Sequence, residues 1–128
     1  MMEELAKRAV ACRHWRWMPG MWIVDEGGGR GVVLDIVTQG GRPYVKFQNP
    51  AHTRQGQVPA AWCVPDLSDP ATLGCLLALV REAWGCDSLT CQSLLPLVGV
   101  HGWRVVGTSA KSGHTEAEAL VAALEAAP

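Results

Sequence analysis

The sequence predicts an α+β domain built around a small antiparallel, barrel-like sheet, and three observations carry that prediction. Between Met21 and Leu67, runs rich in valine and isoleucine are separated by two glycine clusters, "EGGGRG" and "TQGGR", the pattern of short strands joined by tight turns. Before and after this stretch, apolar residues recur at helical spacing. Of 128 residues, 48% are hydrophobic and 18% charged, so the chain can bury a core, and its length fits one domain.

The first element expected is a helix within residues 1–18. In "EELAKRAVACRHW", Leu5, Ala9 and Cys12 recur at i, i+4 and i+7, with Glu3, Glu4, Lys7 and Arg8 on the other side. Its acids precede its bases, as the helix dipole prefers. Pro19 and Gly20 stop the pattern. The sheet follows over residues 19–68, with strands at Met21–Asp25, Gly31–Val37 and Pro43–Gln48. In the third, Tyr44, Lys46 and Gln48 face one way and Val45 and Phe47 the other, so one face is wet. A fourth run, "QVPAAWCV", contains Pro59, which makes it an edge strand or a bulged one.

Residues 69–128 read as helix, short strand and helix. In "DPATLGCLLALVREAWG", Asp69 is placed to cap, Pro70 to begin and Gly85 to end a helix. Leu73, Leu76, Leu77, Val80 and Trp84 form its apolar stripe, widened by Cys75, Ala78 and Leu79 almost all the way round. Such a helix is expected under the sheet or in a subunit interface. "CDSLTCQSLLPLVG" contains Pro96, which argues against a long helix. "VHGWRVVGTSA" reads as a strand with Trp103 and Val105 on one face. Thr115 and Glu118 stand at capping-box spacing before a final helix striped by Leu120, Val121 and Leu124.

Composition narrows the function. The net charge of −1 argues against tight non-specific binding to a phosphate backbone, an affinity that comes from lysine and arginine. Residues 1–54 nonetheless hold eight basic and five acidic side chains, leaving room for a local basic face. The five cysteines are odd in number, no run is long enough to cross a membrane, and the first residues are charged where a leader would be apolar. A bacterial cytoplasmic protein with reduced thiols is therefore expected.

The strings "RWMPGM", "VPAAWCVPDL", "DLSDPATLGCLLALVREAWG" and "TEAEALVAALEAAP" resemble small uncharacterised proteins encoded by phages and prophages of high-GC bacteria. The resemblance implies an accessory phage protein without catalytic machinery, and it brings no functional residues with it.

Several clusters are candidates for function. In "HWRWMPGMW", Trp15 and Trp17 flank Arg16, and Trp22 follows. These residues suit base stacking or a protein-binding hot spot, although indoles anchoring a helix-to-strand junction explain them more simply. Arg30, Arg42, Lys46 and Arg54 lie on or beside the sheet and would form a modest basic surface if they shared a side. The glycines of "EGGGRG" precede a strand rather than a helix, so a hairpin is expected in place of a phosphate cradle. Cys86, Cys91 and His101 are the only zinc candidates, and they lack paired C-x₂-C spacing. Cys63 and His52 could meet as thiol and base, but Cys63 stands in an apolar run. Asp35 interrupts "GVVLDIV" and is expected to face outward. No nucleophile, base and oxyanion donor assemble, so neither an enzyme, a metal site nor a cofactor is expected. Two function classes follow: a protein-binding accessory protein with a host or defence component, or a second copy of itself, as partner; and a weak nucleic-acid binder using the basic side of the sheet. The small bent sheet, of the Src-homology-3-like kind, suits either by analogy of fold.

Overall fold

A computed structural model describes residues 2–25, 28–49, 54–94 and 102–128. Helix α1 (Met2–Ala11) leads into an irregular segment, then strands β1 (Trp22–Asp25), β2 (Arg30–Gln39), β3 (Arg42–Asn49) and β4 (Arg54–Pro59). A 3-10 turn, Ala60–Trp62, precedes β5 (Cys63–Pro65). Helix α2 (Pro70–Trp84), strands β6 (Thr90–Ser93) and β7 (Trp103–Val106), and helix α3 (Glu116–Ala126) complete the order. The α+β class is as expected.

The first five strands form one antiparallel sheet in the order β4-β3-β2-β1-β5. Among the described residues β4 and β5 are its two edges and do not pair, so the sheet is open and no closed barrel is formed. Gln39 pairs with Arg42 around Gly40 and Gly41, both at positive φ (58° and 77°). That two-residue turn matches the twist of its strands and needs glycine at both positions. Between Val33 and Asp35 the register shifts, leaving Leu34 as a bulge. The extra residue bends β2 and increases its twist. Val33, Val45 and Ile23 are buried on the inner face. Phe47 lies there between Gly31 and Gly56; a Cβ at either glycine would come within 2.6 Å of its ring. Two glycines in strands, ordinarily a weakness, here make room for one aromatic side chain.

The helices form a second layer. Asp69 accepts from the Thr72 N–H at 2.9 Å, Pro70 begins α2, and Gly85 ends it in the left-handed region. Thr115 Oγ1 accepts from the Glu118 N–H at 3.1 Å, while Glu118 accepts from the His114 N–H. These caps are the expected ones. Leu120, Val121 and Leu124 are fully buried in α3, and each such side chain contributes roughly 1.5–3 kcal/mol by leaving water.

Four expectations change. Helix α1 ends at Ala11 rather than running towards residue 18, because Cys12–His14 form a bend and turn and Trp15–Met18 have no regular secondary structure. The run "QVPAAWCV" is not one strand: Pro59, which has no N–H to give the ladder, ends β4, and the 3-10 turn redirects the chain into β5. Pro59 does lie on an edge strand. The main partner of α2 is α3 rather than the sheet; its first turn reaches β1, where Thr72 Oγ1 accepts from the Trp22 N–H at 2.8 Å. Finally, Gly74 and Ala78 are exposed, so α2 is wet along one side.

Candidate functional site

The irregular segment after α1 lays Trp15 and Trp17 side by side. Their rings meet edge to face, with centroids 5.3 Å apart and planes at 86°, the favoured arrangement for aromatic quadrupoles. Both are half-buried and line a cleft of about 480 Å³ with Val10, Ile36, Pro43 and Ala60. The Trp15 Nε1 is buried and has no acceptor. Arg16 is exposed and bonds Glu82 of α2 at 2.5 Å; its hydrogen bond holds the Glu82 carboxyl below its ordinary range. The junction thus anchors the chain and lines a cleft at the same time.

Trp22 and Arg30 also come together. The Arg30 guanidinium lies over the Trp22 ring, 5.2 Å from its centroid, and forms an ion pair with Asp66. Burial raises the Asp66 pKa, but the Ser68 hydroxyl and N–H, with Arg30, outweigh it and leave it below the ordinary value. Arg42 and Lys46 stand apart from this pair. Arg42 is exposed beside the β2–β3 turn, and Lys46 is exposed between Asp35 on β2 and Gln57 on β4. Asp35 faces outward, as expected, and accepts from the Ile36 N–H at 2.8 Å. The register thus places Arg30, Arg42 and Lys46 on one face of the sheet, with Asp66 paired to Arg30 and Asp35 opposite Lys46.

A roomier concavity than the tryptophan cleft lies elsewhere. A groove of about 740 Å³ runs between α1, the 3-10 turn and β5. Trp62 and Met2 stand on it with 57% and 43% of their surfaces exposed. They are two of four large apolar side chains exposed among the described residues, the others being Leu34 and Val106. Val24 and Val64 line its floor, half-buried. Val10 and Ala61 belong both to this groove and to the tryptophan cleft, making one apolar belt across α1 and the 3-10 turn. Sequence reasoning missed Trp62, because in "QVPAAWCV" it reads as one more strand residue. Pro59, three positions earlier, was the available signal for a turn that would push it outward.

The thiols are dispersed. Cys63 is buried and directs its Sγ to the Pro59 carbonyl. Cys75 is raised by burial and by Asp69, and Cys91 is raised to about 11 by burial and Glu116. Cys86 is lowered by the Ser88 hydroxyl. Among the described residues no three His, Cys, Asp or Glu side chains converge as metal ligands; His101 and His52 lie outside the described residues, as does part of "EGGGRG". None of the described helices is long and apolar enough to cross a membrane. No protein family, curated protein or solved structure matches this chain.

Proposed function

We propose that this chain is a non-enzymatic protein-binding module whose contact surface is the apolar belt across α1 and the 3-10 turn. The observation that carries this reading is Trp62: an indole 57% exposed at the edge of an apolar groove. Covering the exposed part of that ring would gain part of the burial free energy of a large apolar side chain, and tryptophan is among the residue types enriched where binding energy concentrates. Trp15 and Trp17 extend the same belt, so two of the candidate tryptophans act as its inner wall. The strand order, with a 3-10 turn between β4 and β5, supports assigning the sheet to the Src-homology-3-like class of bent sheets. The resemblance to phage-encoded proteins adds a host component as an expected class of partner.

The test is affinity capture from a bacterial lysate with the wild type, Trp62→Glu and Lys46→Glu. A set of proteins retained by wild type and Lys46→Glu but lost with Trp62→Glu supports the reading. Equal recovery by all three overturns it. Retention of single-stranded DNA that vanishes with Lys46→Glu and with added salt would establish nucleic-acid binding through the sheet instead.

A further inference from the structure

We propose that the outer face of the five-stranded sheet binds single-stranded nucleic acid, laid along β3 with phosphates on Arg42 and Lys46 and a base on the Tyr44 ring between them. This goes beyond the docking reading: it concerns another surface, and either can hold without the other.

The register brings the necessary groups to one side. Val45 of β3 is buried on the inner face, so Arg42, Tyr44, Lys46 and Gln48, at alternate positions, face outward. None of the four is buried. Along one strand the order is cation, ring, cation, amide. At the rise of an extended strand the two cations stand roughly 13 Å apart, with the ring midway between them. A single nucleic-acid strand offers the complement, anionic phosphates with flat bases hung between them. On the neighbouring strand, Gln55 lies opposite Gln48 and Gln57 opposite Lys46, both exposed. Their amides place donors and acceptors beside the track, where base edges would lie.

Charge decides between occupants. Arg30 contributes little, since Asp66 pairs with it and its guanidinium lies over Trp22. Arg42 and Lys46 form no ion pair among the described residues. Asp35 stands opposite Lys46 but already accepts from the Ile36 N–H. Three cations (Arg30, Arg42, Lys46) against two acids (Asp35, Asp66) leave the face a net charge of +1, in a chain whose total is −1. One surplus charge is too small to hold a duplex through its backbone. A single strand needs less, because stacking supplies much of its binding. An acidic peptide would match Arg42 and Lys46, but its backbone offers Tyr44 no flat partner.

The experiment is fluorescence anisotropy of labelled oligothymidylate and oligouridylate over a salt series starting low. It uses wild type, Arg42→Ala, Lys46→Ala, Tyr44→Leu and Arg104→Ala, each shown to be folded by circular dichroism. Arg104 is an exposed cation on β7, in the other sheet. Wild type should bind at least one oligomer, and the preferred one identifies the sugar. Arg42→Ala and Lys46→Ala should each lower the slope of log affinity against log salt by about 0.7, the share of one phosphate contact. Tyr44→Leu should bind ~5-fold or more weakly with its slope unchanged, as the loss of one stacked base requires. Arg104→Ala should bind like wild type. A wild type that binds neither oligomer at low salt overturns the inference, as does a Tyr44→Leu variant equal to wild type or an Arg104→Ala loss as large as that of Lys46→Ala. Displacement by polyglutamate as readily as by unlabelled oligomer also overturns it, since the face would then recognise charge alone.

Discussion

Trp84 and Trp15 are both half-buried indoles, yet they do opposite things with the same N–H. Trp84, at the end of α2, donates from Nε1 to the Ala123 carbonyl at 2.8 Å. That carbonyl belongs to the last turn of α3, where helix geometry leaves oxygens without intrahelical partners. Trp15, between α1 and the sheet, buries its Nε1 with no acceptor. The contrast extends to their surroundings. The helical layer closes over aliphatic residues with no exposure and with capped helix ends, whereas the sheet side keeps half-buried aromatics, shallow clefts and Trp62 in water. The first region holds the fully buried α3 stripe, and the second holds the exposed Trp62 and the two apolar clefts.

Substitutions can break this comparison at several scales. The largest effect is expected from Leu120→Ala, which opens a cavity in the closed layer and should cost about 2–5 kcal/mol in urea unfolding. Leu34→Ala, at the exposed bulge of β2, should stay within about 0.5 kcal/mol. Equal losses at the two sites would refute the division. Next comes the indole pair. Trp84→Phe should lose about 1–3 kcal/mol, since it leaves the Ala123 oxygen unpaired. Trp15→Phe removes a donor that satisfies nothing and should be neutral or slightly stabilising. A Trp15→Phe variant as damaged as Trp84→Phe would mean that the Trp15 N–H has a partner in solution.

Smaller effects sharpen the same picture. Thr115→Ala should cost about 1 kcal/mol by uncapping α3. The acid limb of stability tests the sheet edge. Because the folded Asp66 pKa lies below its ordinary 3.8, its contribution is complete above that pH and is lost as pH falls through the folded value. The difference in melting temperature between wild type and Asp66→Asn should therefore shrink below pH 3.8; a constant difference would remove Asp66 from the acid response. The smallest change is one of rate. At about pH 8, where a free thiol begins to ionise, iodoacetamide should modify Cys86 before Cys75 and Cys91 last, and Ser88→Ala should slow Cys86. Mass spectrometry of timed samples reads the order directly.

The helix ends were legible because their signals are local. Asp69, Pro70, Gly85, Thr115 and Glu118 act within a few residues, and the structure places each in the expected role. The two-glycine turn and the alternation in β3 were legible for the same reason. What escaped depends on contacts across the chain. Nothing near "CLLALV" says that its helix packs chiefly on α3 rather than on the sheet. In "PAAWCV" Pro59 is a local signal for a turn but does not say which way Trp62 faces, because that depends on how β5 reaches β1. The basic residues do share a side: the register puts Arg30, Arg42 and Lys46 on the face of the sheet opposite Ile23, Val33 and Val45. What the sequence does not tell is that Asp66 pairs with Arg30 and that Asp35 stands opposite Lys46, because that depends on sheet register and on the loop carrying Asp66. Of the candidate site residues, the structure also unites Trp15 with Trp17 and Trp22 with Arg30, and draws Arg16 to α2.

The ion pair between Arg8 and Glu125 joins side chains 117 positions apart, and near it the Cys12 thiol points to the Leu124 carbonyl. Contacts between such distant positions close a loop of most of the chain, and loop-closure entropy makes them form after the local hairpins of the sheet. In refolding, the clasp of α1 on α3 is therefore among the last contacts to close.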